Sequence, residues 1–159
     1  MEDIAVVANH LLDLQCEGVS VVWRPLHEAS GAWFWWGASG ANAYKQLYKL
    51  LFDKLVNEYG LHNLIWVWTS CGNDADWYPG DEYVDIVGRD MYVTNHGSLA
   101  TEFEALAKLV DGKKIVTLAE CGAMPYPEKL EQDAAINSKE SSSTFRIVNT
   151  ILAESISTI

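Results

Sequence analysis

Val19-Ser20-Val21-Val22-Trp23-Arg24-Pro25-Leu26-His27-Glu28 is the stretch on which the reading of the fold turns. Its apolar, β-branched start predicts a buried strand of a parallel sheet. The Arg-Pro step ends that strand, because Pro25 has no N–H to give to a ladder. A histidine and a carboxylate then stand at the strand's carboxyl end. The chain runs on through Ala29-Ser30-Gly31-Ala32 into Trp33-Phe34-Trp35-Trp36-Gly37. Four consecutive aromatics cannot all face a core, since strand and helix alike point successive side chains in different directions. The pattern suits a cleft for a sugar, in which flat rings stack on pyranose C–H faces and a carboxylate handles a proton. The plainer alternative is a tryptophan-rich corner of the core beside a surface glutamate.

Outward from this stretch, strands and helices alternate. Ile4, Val7, Ala8, Leu11, Leu12 and Leu14 have roughly helical spacing over 4–16, and Gly18 supplies a stop. After the strand at 19–24, a helix is predicted over about 41–59, with Tyr44, Leu47, Tyr48, Leu51, Leu55, Val56 and Tyr59 on one stripe and Gly60 at its end. Leu64 to Thr69 reads as a second buried strand. Val84 to Gly88 reads as a third, delivering Asp90 and Tyr92. A helix over about 98–110 leads to a fourth strand, Lys114 to Ala119, which ends at Glu120-Cys121-Gly122. Such alternation predicts an α/β fold with a parallel sheet and right-handed crossovers. Chemistry in these folds collects at the carboxyl ends of the strands. Here those ends carry His27 and Glu28, then Trp68, then Asp90 and Tyr92, and finally Glu120.

Composition narrows the function classes. The chain has 159 residues, 49% of them hydrophobic, enough for one sizeable core. A formal charge of −11 argues against nucleic acid or an anionic membrane surface as partner, while a neutral polysaccharide is compatible with it. No apolar run is long enough to span a bilayer, and the acidic Met1-Glu2-Asp3 start shows no export signal. Cys16, Cys71 and Cys121 form no paired-ligand motif, so no zinc site is expected; they read as reduced and mostly buried, with one disulfide as the alternative. No phosphate loop, nucleophile elbow or calcium loop is present, and no cofactor or metal is expected.

Two carboxylates from strand ends, Glu28 and Glu120, have the makings of a glycosidase pair. Retaining enzymes hold such a pair about 5–5.5 Å apart, one member as acid/base and the other as nucleophile. Glu28, next to the aromatic run, suits the acid/base role, for which desolvation would keep a proton on the carboxyl. Glu120 must stay ionised and needs hydrogen-bond donors; Tyr92 and Arg24 are the candidates, the alternatives being a packing tyrosine and a salt-bridged core arginine. His27 would orient Glu28 or bind a sugar hydroxyl, or else be a packing histidine. His10, His62 and His96 read as surface residues.

These motifs resemble a known family. Arg24-Pro25-Leu26-His27-Glu28 with Gly31 and Trp33-Phe34-Trp35-Trp36-Gly37 resembles the acid/base segment of glycoside hydrolase family 26, the β-mannanases. Leu64 to Trp68 and Tyr78 to Tyr92 resemble its fifth and sixth barrel strands, and Leu118-Ala119-Glu120-Cys121-Gly122 its nucleophile strand, the seventh. The resemblance covers about residues 4–135. It implies a partial (β/α)8 TIM barrel, strands four to seven with flanking helices. It also implies Glu28 as acid/base, Glu120 as nucleophile and Tyr92 as a contact of the nucleophile. His27 and Trp33 would line the subsite of the sugar being cleaved, with Trp36, Arg24 and Trp68 as further substrate-binding candidates. The implied substrate is β-mannan or a related β-linked polysaccharide, cleaved at internal β-1,4 links without cofactor, and the implied location is outside the cell.

The chain also departs from that pattern. A full barrel takes about 250 residues, whereas this chain has the makings of four strands. The catalytic segment is expected over 1–136. The segment 137–159 reads as a divergent tail, with a polar Ser-rich spacer before an amphipathic helix built on Phe145, Ile147, Val148, Ile151, Leu152 and Ile156. Four unclosed parallel strands predict self-association or a complementing half-barrel. A carbohydrate-binding remnant without turnover, or a related xylanase or mixed-linkage glucanase, is the alternative function.

Overall fold

The computed structural model describes residues 2–129, so the expected tail helix lies outside the described residues. The first helix, α1 (Glu2–Cys16), places Ile4, Val7, Ala8 and Leu11 on one face, with Ala8 and Leu11 buried. Glu2 and Asp3 in its first turn favour the positive end of the helix. Gly18, at φ +72°, closes it in a left-handed cap in which the Val19 N–H reaches the Leu14 carbonyl at 2.9 Å. The strand β1 (Val21–Trp23) is shorter than expected: Val19 is exposed, and pairing stops before Arg24-Pro25.

A 3-10 turn over Ala29–Gly31 precedes α2 (Gly40–Phe52), which continues into a π-helical segment, Asp53–Glu58. The expected single helix is thus wider-wound at its end, with the Tyr59 N–H bonding five residues back to Lys54. The apolar positions 51, 55, 56 and 59 fit both windings, so spacing alone does not separate them. The strand β2 (Leu64–Ser70) follows, then β3 (Ile86–Met91), α3 (Ala100–Leu109) and β4 (Ile115–Cys121). The third strand starts later than expected because Asp85 caps it. Its carboxylate accepts the Trp66 N–H at 2.8 Å, and its own N–H donates to the Trp66 carbonyl at 2.9 Å. It also runs further, so that Arg89, Asp90 and Met91 are strand residues.

The four strands are parallel and in sequential order, β1-β2-β3-β4. That order gives half of a (β/α)8 barrel with helices outside, as expected. Period-two alternation sorts the side chains. Trp66 and Trp68 of β2 face the helices, where Tyr48 and Phe52 lie 5.8 and 4.9 Å from the Trp66 ring. Tyr44, Tyr48, Leu55, Val87, Phe103, Leu106 and Val116 complete this core. Thr69 points to the inner face, toward the carboxyl end of the sheet.

Candidate active site

Four strands converge on one guanidinium. Arg24 leaves the end of β1, and its Nη1 donates to Thr69 Oγ1 of β2 at 3.3 Å and to Asp90 Oδ2 of β3 at 3.2 Å. Its Nη2 pairs with Glu120 Oε1 of β4. The hydroxyl of Tyr92, just past β3, donates to the other oxygen of Glu120 at 2.5 Å. One carboxylate oxygen each from Glu28, Asp90 and Glu120 lies within 4.8 Å of the others. Three acids so close would repel one another; the Arg24 charge, paired with Asp90 and Glu120, offsets this.

Glu120 reaches the cluster because of a bulge. Arg89 pairs with Leu118, but Asp90 pairs with Glu120, so Ala119 is an extra residue in β4. Without it, Glu120 would keep the phase of Val116 and Leu118 and face the helices. The inserted residue turns Glu120 onto the inner face beside Asp90, which is how bulges re-aim side chains near sites.

The loop after β1 presents Glu28 by an unusual backbone path. Leu26, Glu28 and Ala32 all have positive φ, at 53°, 52° and 58°. Each such non-glycine residue costs about 1–3 kcal/mol and persists only where its surroundings over-determine it. Trp33 folds back over Gly31, where a Cβ would come within 2.0 Å of the indole ring, and its Nε1 donates to Glu28 Oε2 at 3.1 Å. Trp36 Nε1 donates to the His27 carbonyl at 2.8 Å, and its ring stacks on Phe34 at 4.4 Å. Gly37 is needed because a Cβ there would sit 2.0 Å from the Ala29 carbonyl oxygen. The result is a ledge on which Trp33 and Trp35 stand 60% and 73% exposed.

Protonation follows the environment. Burial pushes Glu120 up, but hydrogen bonds from Tyr92 and Arg24, with the Arg24 charge, hold it below the usual carboxylate range. Asp90 goes the other way, to about 7, because burial outweighs Arg24 and because Glu120 and Glu28 repel its charge. Burial, then Arg24, lowers His27, which keeps the imidazole neutral near pH 7. Tyr92 is raised to about 12, first by its hydrogen bond to Glu120, and so stays a donor.

The structure brings Arg24, His27, Glu28, Trp33, Tyr92 and Glu120 to one end of the sheet. Trp36 joins them half-buried, holding His27 from behind. Trp68 does not join them. It is 1% exposed in the core, edge-on to Tyr78 at 5.3 Å, because strand alternation gives the inner face to Thr69. Asp90, at the end of β3, pairs with Arg24 beside Glu120, and Thr69 is a further contact of Arg24 that the strand pattern does not single out. Cys16 is exposed rather than buried; Cys71 and Cys121 are half-buried, and all three are free. His10, His62 and His96 are on the surface, as expected.

Known proteins share this fold and much of this sequence. The model of glycosyl hydrolase family 26 matches residues 1–150. A mannan endo-1,4-beta-mannosidase of Thermothelomyces thermophilus is 49% identical over 131 residues, covering 82% of this chain and 27% of the relative. A beta-mannanase from a symbiotic protist of the termite Reticulitermes speratus, solved with gluco-manno-oligosaccharide, superposes with a TM-score of 0.77 at 50% identity, covering 79% of this chain and 40% of that one. A beta-(1,4)-mannanase of Podospora anserina gives 0.79 at 46% identity, over 84% of this chain and 30% of that one. The chain thus spans less than half the length of these relatives. Sheet order, the Glu28 and Glu120 strand ends and the match over residues 1–150 agree: the chain belongs to glycosyl hydrolase family 26.

Proposed function

We propose that the chain carries the catalytic half of a retaining endo-β-1,4-mannanase. The observation that supports this most is the spacing of Glu28 and Glu120, whose nearest oxygens come within 4.8 Å. That suits the about 5–5.5 Å carboxyl spacing of retaining glycosidases better than the about 6.5–9.5 Å that leaves room for a water in inverting ones. Glu120, held ionised by Tyr92 and Arg24, attacks the anomeric carbon while Glu28 gives its proton to the departing sugar oxygen. The C–O bond to the leaving chain breaks as the ester to Glu120 forms. Glu28, now a carboxylate, takes a proton from water, whose oxygen displaces Glu120 and restores both acids.

Neutral His27 and the exposed Trp33 ring line the sugar-binding ledge in this reading, with Trp35 beyond it. Mannan is the substrate by likeness to the relatives. A polymer of that size does not enter a cell, so the reaction takes place outside it. No helix among the described residues is long and apolar enough to cross a membrane. Among the described residues β1 and β4 each keep one unpaired edge, which a complementing half-barrel or a second copy would cover.

The test is reducing-sugar release from soluble β-mannan by the purified chain, with Glu120→Ala as control and the anomer of the first product read by NMR. Release with retained β-configuration that Glu120→Ala abolishes supports the reading. No release from a folded chain, or release that survives Glu120→Ala, refutes it for this chain.

A further inference from the structure

Behind the Glu28 loop lies a second polar cluster that the reaction above does not use. Asp74 stands in the turn after β2, only 5% exposed. Its carboxylate accepts from Ser70 Oγ at 2.6 Å, from the Cys71 backbone N–H at 2.9 Å and from Ser30 Oγ at 2.7 Å. Ser70 Oγ accepts in turn from Arg89 Nη1 of β3 at 2.7 Å, and the same nitrogen donates to the Gly72 carbonyl at 2.7 Å. Cys71 Sγ lies 2.9 Å from Ser30 Oγ. Since the serine proton goes to Asp74, the thiol is left as the donor to Ser30.

Ser30 sits two residues after Glu28, in the 3-10 turn that follows it. Three positive-φ residues in this loop require outside support. Trp36 and the turn's own hydrogen bonds brace it from within. Asp74 braces it from β2 and, through Ser70 and Arg89, from β3, the strands that carry Thr69 and Asp90.

We propose that Asp74 is a positioning residue, fixing through Ser30 where Glu28 stands relative to Glu120. The inference rests on the retaining-glycosidase reading of Glu28, and the experiment separates the two. Ser30→Ala and Asp74→Asn are made in this chain. Hydrogen exchange of segment 27–37 should run about tenfold faster in each, the size of one lost charge-assisted hydrogen bond, while α3 exchanges as in the parent. Should Asp74→Asn unfold, Ser30→Ala, which removes a single hydroxyl, carries the test. Unchanged exchange in 27–37 overturns the proposal.

The second readout compares kcat/KM on β-mannan with kcat/KM on a dinitrophenyl β-mannobioside, whose leaving group needs no proton. A displaced Glu28 should lower the first by about 10²-fold and leave the second within about threefold. Equal losses on both substrates would mark Asp74 as merely structural and overturn the proposal. If the parent chain cleaves neither substrate, the glycosidase reading fails, and the exchange result decides whether Asp74 holds the loop.

Discussion

Arg24→Met would remove the cation that Asp90 and Glu120 share. In the parent, Nη1 meets Asp90, whose side chain is 0% accessible, at 3.2 Å, and Nη2 pairs with Glu120. Methionine keeps much of the stem's volume and none of the charge. Breaking a buried pair by deleting one partner costs about 3–5 kcal/mol. The Arg24 side chain itself is 11% accessible, so partial solvation places the expected loss at the low end, about 3 kcal/mol.

The sign of its pH dependence follows from Asp90. That carboxyl already titrates at about 7 against an ordinary 3.8, chiefly through burial, and Arg24 is the group pulling it down. Without Arg24 it rises further. An acid whose folded-state pKa is raised contributes stability that is complete below the unfolded value and lost as pH climbs through the folded one. The variant should therefore lie nearest the parent at about pH 5 and furthest below it at about pH 8. Urea unfolding at both pH values is the assay, with Arg24→Met/Asp90→Asn completing a cycle. Because Asp90→Asn takes away the buried charge that Arg24→Met leaves unpaired, the double variant should recover about 1–3 kcal/mol relative to additivity. A loss below about 1 kcal/mol, equal at the two pH values and additive in the cycle, would refute the reasoning and make the pair a solvated surface contact.

Tyr92→Phe removes a donor from Glu120, whose pKa should rise toward the ordinary range. A nucleophile must be ionised, so the acid limb of kcat/KM should move to higher pH, with a loss of about 10–100-fold on mannan, the worth of one hydrogen bond to a charged group; an unmoved limb would count against Glu120 as nucleophile. Trp33→Ala and Trp68→Ala should part company. Trp33, 60% exposed, should cost about 1–3 kcal/mol of oligosaccharide affinity in calorimetry on a Glu120→Ala background, with unfolding almost unchanged. Trp68, 1% exposed, should cost about 3–5 kcal/mol of stability by thermal or urea unfolding. A loss of affinity for Trp68→Ala in a chain as stable as the parent would return that residue to the cleft.

The architecture was legible in the local pattern, and so were several polar groups that the fold gathers at one end of the sheet. β-branched runs ending in Arg-Pro or Gly, alternating with stripes at helical spacing, permit only a parallel sheet with helices outside it, and such sheets gather chemistry at one end. Arg24, His27, Glu28, Tyr92 and Glu120 were legible for that reason, as polar groups where a strand stops. Phase and conformation were not legible. Trp68 and Thr69 are neighbours with opposite fates, and only pairing to β1 and β3 tells which one faces the acids. The Ala119 bulge, which turns Glu120 inward, exists only as a mismatch between two strands. The left-handed backbone at Glu28 and the position of Asp90 beside Arg24 likewise depend on partners 66 or more residues away for Arg24 and 44 for Ser30 and Asp74. Local pattern determines which way a side chain alternates along its own strand; which face becomes the charged site is decided when the strands meet.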